Sequence, residues 1–296
     1  MANNTPHAAQ HGEAVKTGLI MEGGAMRGLF TCGVMDVLME NGIRFDGAAG
    51  VSAGAVFGSN YKSKQIGRPR RYNKRFCRDP RYGSLRSLLK TGDLYDADFC
   101  YRELPDVLDL FDSETFKSNP MEFYVGATDA HTGQCLYHKC TDGGETDIQW
   151  MRASASMPLV SRPVAVDGHL LLDGAISDSV PFAFMESLGY NRNVIVLTQP
   201  AGYVKRKSAA LPLMRLLLRR YPAVVQALAV RHEMYNQQMA EIKRCEEAGT
   251  SFVIRPAQTL GIRRTENNPD ELERVYQLGR AEAEKNLAAL QGFLGA

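Results

Sequence analysis

The sequence predicts an α/β fold with a mostly parallel sheet. Two observations predict it: a repeated order of strand, glycine turn and helix, and a length and composition sufficient for a large core. Twice between residues 17 and 61, an apolar strand-like run leads into a glycine-rich turn and then into apolar residues at helical spacing. Such alternation of strand and helix is typical of parallel sheets. The chain has 296 residues, of which 44% are hydrophobic and 23% charged, so it can bury a core that holds an enclosed site.

The two repeated units come first in the chain. One consists of the strand-like run Thr17–Met21, a glycine-rich turn at residues 22–28 and a helix that begins near Leu29. The other consists of a strand over residues 45–51 and a helix over residues 55–61, joined by a second glycine turn. Residues 62–105 are basic, aromatic and rich in turn formers, which predicts short helices and loops over the sheet.

The rest of the chain continues the alternation less regularly. We predict paired strands at 121–128 and 134–138, further strands at 163–166, 169–172, 193–198 and 251–254, and helices at 147–156, 181–188, 211–231, 235–247 and 270–290. The helix that starts at Asp147 ends near Met157-Pro158, because the residue before a proline disfavours the helical conformation. We divide the chain into a disordered leader (1–15), an α/β domain (16–200) and a mainly helical C-terminal extension (201–296).

Composition bears on location more than on partners. The net charge is only +2, and the six cysteines form no CxxC pair and no zinc-binding spacing, so we expect free thiols in a reducing compartment and no metal. Residues 1–15 are polar and lack the apolar stretch of a secretory signal. The sequence contains no run of 18 apolar residues, the length that a bilayer-spanning helix needs. We expect a cytoplasmic protein, with peripheral contact to the inner face of the membrane left open. The sequence does not indicate an oligomeric state.

The motif Gly50-Val51-Ser52-Ala53-Gly54 carries the sharpest functional signal. Ser52 stands between a predicted strand and a predicted helix, where a tight turn exposes the side chain in a strained backbone conformation. Gly50 and Gly54 permit the close chain approach around it, and the helix start supplies backbone N–H donors. A serine in an ordinary glycine-rich turn is the alternative, but this context favours a nucleophile.

The turn Gly23-Gly24-Ala25-Met26-Arg27-Gly28 has three interpretations. Its backbone N–H groups at Gly23, Gly24 and Ala25, together with that of Ala53, could form an oxyanion hole. The spacing also approaches a dinucleotide fingerprint, with Asp46 near the position of a ribose-binding acid, although Ala25 replaces the central glycine. The third interpretation is a tight turn without function. We assign Arg27 no chemistry.

Asp173-Gly174-Ala175 follows the strand-like run Leu170–Leu172. A carboxylate at the end of a strand and beside a glycine turn is well placed to enter a site. Asp-Gly is also an ordinary turn sequence, and on its own the motif favours that interpretation.

The order of these motifs resembles the patatin-like phospholipases. Gly-Gly-x-x-Arg-Gly, Gly-x-Ser-x-Gly and Asp-Gly-Ala follow one another as in that family, and the stretch Ala153–Val160 resembles its Ala-Ser-x-x-x-Pro segment. The resemblance covers roughly residues 16–200 and departs at Ala25, where the family often has glycine. It implies a three-layer α/β/α sandwich, a patatin-like catalytic domain, a Ser52–Asp173 dyad and no metal or organic cofactor.

The dyad implied by the resemblance needs no histidine. His232 alone follows Asp173 in the sequence, and we give His138, His169 and His232 structural roles. A free aspartate has a pKa near ~3.9, too acidic to accept a serine proton efficiently. We therefore predict that Asp173 is desolvated, is hydrogen-bonded to Ser52 Oγ and has a raised pKa.

Two basic surfaces could meet anionic lipid. Residues 62–90 contain eleven Lys or Arg and a single acid, Asp79, with aromatic residues between them. This segment could contact an anionic membrane, could bind nucleic acid, or could simply face water. Leu211–Arg231 is predicted as one basic amphipathic helix, more often a core-packing element than a membrane-docking one.

Together these features predict a serine lipid acyl hydrolase of the phospholipase A or lysophospholipase type, acting on a lipid or acyl-ester substrate. One alternative is a carboxylesterase or thioesterase that acts on soluble acyl esters. An alternative of another class is a nucleotide- or nucleic-acid-binding protein, although we expect no nucleic-acid partner.

Overall fold

A computed structural model describes residues 15–295. The predicted leader, residues 1–15, lies outside the described residues except for Val15. The strands are β1 Thr17–Met21, β2 Gly47–Val51, β3 Glu122–Asp129, β4 Cys135–Cys140, β5 Val164–Val166, β6 His169–Asp173, β7 Arg192–Val196 and β8 Ser251–Ile254. The α-helices are α1 Gly28–Glu40, α2 Ala53–Lys62, α3 Arg68–Phe76, α4 Leu85–Thr91, α5 Ser113–Ser118, α6 Glu145–Ser154, α7 Phe182–Ser187, α8 Leu211–Leu217, α9 Pro222–Glu247 and α10 Pro269–Leu294.

All eight strands form a single mixed sheet in the order β5-β6-β3-β2-β1-β7-β8, with β4 paired to β3. Strands β3, β2, β1, β7 and β8, which are consecutive in the sheet, run parallel to one another. Strands β4, β5 and β6 are antiparallel to their neighbours. The predicted α/β class with a mostly parallel sheet is confirmed.

Helices cover both faces of the sheet, because side chains along each strand alternate between the two faces. Leu19 and Met21 of β1 belong to the larger core with α1 and α10, while Ile20 belongs to a second core beneath α7 and α9. The fold is therefore the expected three-layer sandwich.

The C-terminal region is mainly helical, as predicted, and it shares the core of the α/β domain. Strand β8 extends the sheet beyond β7, and α10 packs along α1. The two helices approach most closely at two glycines: a Cβ on Gly33 would lie 2.1 Å from the Tyr276 carbonyl oxygen, and one on Gly279 would lie 2.0 Å from that of Phe30. The Tyr276 hydroxyl also donates to the buried Asp36 carboxylate at 2.7 Å.

One predicted helix is wrong. Residues 211–231 form two helices, α8 and the start of α9, separated at Leu218–Tyr221. Tyr221 has a non-helical conformation, with φ of −126° and ψ of 66°, because it precedes Pro222. Three α-helices and a π-helix were not predicted individually. Helices α3 and α4 lie within the segment 62–105, assigned only to short helices and loops; the π-helix Phe99–Leu108 lies within and just beyond it, and α5 follows.

Candidate active site

The sheet itself brings Ser52 and Asp173 together. Strand β2 ends with Val51 opposite Gly126 of β3, and β6 ends with Asp173 opposite the next residue, Ala127. Both strands pair with the same edge of β3 and meet end to end, since β4 occupies its other edge. Residues 121 positions apart therefore become neighbours.

Ser52 lies in a strained turn between β2 and α2. Its φ of 55° is uncommon for a residue with a side chain and costs about 1–3 kcal/mol, which the surrounding structure must offset. A Cβ on Gly50 would lie 2.3 Å from the Gly54 carbonyl oxygen, and one on Gly54 would lie 2.4 Å from that of Met21. Only glycine fits these two positions, as the sequence predicted.

A second serine fixes the turn. The Ser52 backbone N–H donates to Ser154 Oγ at 2.8 Å, and the Ser154 hydroxyl donates in turn to the Gly126 carbonyl at 2.6 Å. Ser154 is the last residue of α6 and lies in the stretch Ala153–Val160, which resembles the Ala-Ser-x-x-x-Pro segment. The resemblance did not predict its contact with Ser52. It positions the turn that carries Ser52 but does not touch the Ser52 hydroxyl.

The two candidate catalytic side chains form a direct hydrogen bond. The Ser52 hydroxyl donates to Asp173 Oδ2 at 2.7 Å, and the Ala175 N–H donates to Asp173 Oδ1 at 2.9 Å. Ser52 is 8% exposed and Asp173 is fully buried. Burial raises the pKa of Asp173, while the hydrogen bond from Ser52 and the charge of Arg231 act in the opposite direction.

The glycine-rich turn lies beside Ser52, where its amides have different roles. The Gly23 N–H donates to the Ser179 carbonyl at 3.4 Å, which engages one predicted oxyanion donor in the fold. Among residues 15–295, the N–H groups of Gly24, Ala25 and Ala53 have no acceptor. Ala25 has a φ of 49°, a conformation that glycine would adopt without strain.

These groups face a cavity of about 390 Å³. Apolar and aromatic side chains form much of its wall: Met26, Val56, Phe57, Tyr72, Tyr82, Leu94, Tyr95, Tyr101, Leu104, Phe111, Met151, Met157, Leu159 and Val160. The wall also contains Ser52, Asp173 and the turn at residues 23–27. Such a cavity can hold an acyl chain with its ester at Ser52.

No histidine lies among the described residues that line this cavity. His138 Nε2 lies 2.7 Å from Asp147 Oδ1, and its ring stacks on Trp150. His169 Nδ1 lies 3.4 Å from Asp129 Oδ2, and His232 Nε2 lies 3.6 Å from Glu233 Oε1.

One cluster outside the cavity has metal-ligand chemistry, since side-chain atoms of His138, Cys140 and Asp147 lie within 4.8 Å of one another. Asp147 already accepts three backbone N–H groups and contacts His138, and burial raises the pKa of the Cys140 thiol. These contacts fit a structural role for the cluster, and we assign it no metal. All six cysteines are free thiols.

The structure places Asp46 too far from the glycine-rich turn to act as the ribose-binding acid of a nucleotide site. Asp46 precedes β2, so it lies at the opposite end of the strands from the glycine-rich turn. Its Oδ2 accepts hydrogen bonds from the Thr17 N–H at 2.7 Å and the Thr17 hydroxyl at 2.8 Å. A ribose bound near residues 23–28 would not reach it.

The basic segment 62–90 is largely engaged within the fold. Arg68 and Arg71 pair with Asp109, Arg70 and Lys74 pair with Glu273, and Arg81 pairs with Asp79 and Glu103. The buried Lys62 ammonium donates to the carbonyls of Asn119 and Met121. The five that remain outside these contacts are Lys64, Arg75, Arg78, Arg86 and Lys90.

Several cavity residues carry no local sequence signal. Glu22 is buried, and its carboxylate accepts hydrogen bonds from Thr198 and from the Tyr235 hydroxyl. Lys205, Arg231 and Arg264 reach the cavity from three separate segments of the C-terminal region. Only the long-range fold brings them to Ser52.

Comparison with known proteins agrees with this architecture. Residues 19–185 match the family described as patatin-like phospholipase, and residues 221–295 match a domain of unknown function, DUF6363. The uncharacterized protein YjjU of Escherichia coli is 28% identical over 211 residues, 68% of this chain and 57% of that protein. Lysophospholipase nte1 of Emericella nidulans is 28% identical over 185 residues, 58% of this chain and 11% of that protein.

Among solved structures, VipD from Legionella pneumophila matches 93% of this chain and 67% of its own, with a TM-score of 0.45 and 11% identity. The chain spans less than two thirds of the length of the two sequence relatives named above. The family match, by contrast, extends over more than half of the chain and contains the strand ends that meet at Ser52 and Asp173. The chain belongs to the patatin-like phospholipase family.

Proposed function

We propose that this protein hydrolyses acyl esters of lipids, with Ser52 as the nucleophile and Asp173 as the general base. One observation carries the proposal: the Ser52 hydroxyl donates to a fully buried carboxylate at 2.7 Å, in the wall of a largely apolar cavity. Nucleophile and base within hydrogen-bond reach are the signature of covalent acyl transfer.

In the first half-reaction, Ser52 Oγ attacks the ester carbonyl carbon while Asp173 Oδ2 takes the hydroxyl proton. When the tetrahedral intermediate collapses, the C–O bond to the alcohol breaks and Asp173 returns the proton to the leaving oxygen. Water then attacks the carbonyl carbon of the acyl-Ser52 ester and gives a proton to Asp173. The bond from that carbon to Ser52 Oγ breaks, Asp173 returns the proton to Oγ, and the fatty acid is released. Burial suits Asp173 to this work because a raised pKa makes the carboxylate a stronger base.

The developing oxyanion needs donors that are free in the resting enzyme. We propose the N–H groups of Gly24, Ala25 and Ala53, which lie in the cavity wall and have no acceptor in residues 15–295. Gly23 is removed from the predicted set because its N–H donates to Ser179. Loss of one such donor typically lowers the rate by about 10²–10³-fold.

The lipid class is supported by the family and by the cavity. The family is named for phospholipase activity, and one relative, from Emericella nidulans, is named a lysophospholipase. The aromatic and aliphatic wall would bury an acyl chain and favour it over a short acid. A broader carboxylesterase or thioesterase activity is the alternative within the same chemistry.

The test is fatty-acid release from a lysophospholipid and from a short-chain soluble ester with the same enzyme. We expect higher kcat/KM on the lysophospholipid and loss of both activities in Ser52→Ala. Ser161→Ala is the matched control, since Ser161 lines the same cavity and we assign it no role in the reaction. A preference for the short ester would favour the broader esterase, and activity retained by Ser52→Ala would refute the proposal.

We also propose peripheral contact with an anionic membrane through α4, within the predicted segment 62–90. Leu85 and Leu89 are 73% and 89% exposed on this helix, and Arg86 and Lys90 follow them directly. Exposed leucines beside cations are typical of helices that bind the surface of anionic bilayers. The double variant Leu85→Glu/Leu89→Glu should lose sedimentation with anionic vesicles and keep activity on the short ester. Unchanged sedimentation would exclude α4 as the contact.

The division of the chain into an α/β domain and a C-terminal extension is also a proposal. Residues 16–200 would contribute the reacting groups, while residues 201–296 would complete both the core and the cavity wall. No helix among the described residues is long and apolar enough to cross a membrane. The cytoplasmic location stays a prediction.

A further inference from the structure

Four cationic side chains line the cavity near Ser52 and Asp173: Arg27, Lys205, Arg231 and Arg264. In residues 15–295 none of them forms an ion pair with a carboxylate. They lie close enough to influence one another, since Arg231, Arg27 and Arg264 all act to lower the pKa of Lys205. Burial is the main cause that lowers the pKa of Lys205 to about 8; the three arginine charges act in the same direction and Glu22 opposes them.

Other arginines in the same wall are neutralised. Arg68 lies 3.4 Å from Asp109, and Arg152 lies 3.5 Å from Asp93. The cations without an ion pair are therefore confined to one part of the cavity.

The only carboxylates of the described cavity wall besides Asp93 are Glu22 and Asp173. Glu22 is occupied by Thr198 and Tyr235, and Asp173 by Ser52 and Ala175. Four cationic side chains thus share this part of the cavity with two carboxyl groups that already have hydrogen-bond partners in the fold. The imbalance leaves room for a ligand that carries negative charge.

Two of these cations, Arg231 and Lys205, have contacts that position them and leave donors free, whereas Arg264 is exposed. Arg231 Nε donates to the carbonyl of Ala175, two residues beyond Asp173, and its terminal NH₂ groups have no acceptor in residues 15–295. The Lys205 ammonium lies 4.1 Å from the centre of the Tyr235 ring, a cation–π contact that satisfies none of its three N–H donors. Arg27 differs because its Nε donates to Thr198 at 3.4 Å.

We propose that Lys205, Arg231 and Arg264 form a subsite for the phosphate group of the lipid substrate. Guanidinium and ammonium groups with free donors are the usual protein partners of phosphate oxygens. The subsite deepens the proposed function and rests on it, since a headgroup phosphate bound here would place the acyl ester of the same lipid at Ser52. It also gives the C-terminal region a role, because all three residues follow position 200.

The test measures binding first, so that it does not depend on turnover. The probes share one alkyl chain attached by a non-hydrolysable ether, and they are used below their micellar concentration: an alkyl glycerophosphate and the alkyl glycerol without phosphate. Inorganic phosphate is the third probe. The proteins are wild type, Lys205→Met/Arg264→Met, the rescue variant Lys205→Arg, and Arg206→Met as a control at an exposed neighbour outside the cavity.

We expect wild type to bind the glycerophosphate about 10- to 100-fold more tightly than the alkyl glycerol, the range set by one or two charge-assisted hydrogen bonds. The double variant should lose that ratio and keep its affinity for the alkyl glycerol, while Lys205→Arg and Arg206→Met retain the ratio. Equal affinities in wild type, or a ratio retained by the double variant, would overturn the subsite. Binding of inorganic phosphate as tight as that of the lipid would assign the site to free phosphate instead.

Kinetics on the matching ester substrates separates this inference from the proposed function. If wild type hydrolyses neither ester yet binds the glycerophosphate through Lys205 and Arg264, the hydrolase proposal fails and the phosphate site stands as a binding site. If it hydrolyses both esters with equal kcat/KM and the double variant does the same, the hydrolase stands and the subsite fails.

Discussion

Replacing Asp173 with asparagine should lower the rate of catalysis by about 10²–10⁴-fold while stabilising the fold. Asparagine has the same shape, so its Oδ1 can accept the Ala175 N–H and its NH₂ can donate to Ser52 Oγ, which preserves both hydrogen bonds that the carboxylate makes at 2.9 and 2.7 Å. The variant loses only the negative charge and the ability to take a proton. Loss of a general base typically lowers the rate by about 10²–10⁴-fold, or roughly 3–5 kcal/mol of transition-state stabilisation.

The stability change follows from the raised pKa of Asp173, whose main cause is burial. A carboxyl group with a folded-state pKa above its unfolded value favours the native state below the unfolded pKa and loses that contribution as pH rises through the folded pKa. Each unit of elevation corresponds to about 1.4 kcal/mol. Above that pH the ionised carboxylate destabilises wild type, so Asp173→Asn should unfold at higher urea concentration.

The assay is urea unfolding of both proteins at a series of pH values from 4 to 8, with fatty-acid release measured at each pH. The gap in unfolding free energy should widen as pH rises and then level off. Asp178→Asn is the matched control: Asp178 is half-buried and desolvation raises its pKa too, but it contacts Tyr137 and Gln238 outside the cavity. It should show a stability change of the same sign with activity retained. An active Asp173→Asn, or one less stable than wild type at neutral pH, would refute this reasoning.

Three further predictions test other parts of the structure. Arg231→Met removes a charge that lowers the pKa of Asp173, so the acid limb of kcat/KM on a phosphate-free ester should move to higher pH; an unmoved limb would argue against Asp173 as the base. Gly54→Ala places a Cβ 2.4 Å from the Met21 carbonyl oxygen and should lower the unfolding free energy by about 1–3 kcal/mol or more, measured in urea. Gly279→Ala should destabilise similarly at the α1–α10 contact, whereas Gly292→Ala, in open space on the same helix, should stabilise by about 0.5–1 kcal/mol; equal effects would mean that α10 does not pack closely on α1.

Much of the fold can be predicted from local sequence patterns. The strands Thr17–Met21 and Ser251–Ile254 have the predicted bounds, because their apolar residues pack against the sheet's core between polar or glycine-rich flanks. The turn at Ser52 was also predictable, since Gly50 and Gly54 leave few alternatives for the chain around it. The family resemblance, which is confirmed, then supplied the pairing of Ser52 with Asp173.

Other features depend on partners far away in the chain. Arg70 and Lys74 looked like a free basic surface, yet both contact Glu273, about 200 positions later. The docking of α10 on α1 uses Gly33 and Gly279, neither of which carries a local signal. The split of the predicted helix 211–231 has a local cause, since Tyr221 precedes Pro222 and leaves the helical conformation. The helix predicted over 147–156 likewise ends before Pro158, at Ser154, two residues earlier than predicted.

The central claim, a Ser52–Asp173 dyad, is tested most directly by covalent labelling with a fluorophosphonate and mass-spectrometric location of the adduct. The account predicts an adduct on Ser52 in wild type, in Ser161→Ala and in His232→Ala, and labelling at least about 10²-fold slower in folded Asp173→Asn. Labelling of folded Asp173→Asn at the wild-type rate, or loss of labelling in His232→Ala, would contradict it.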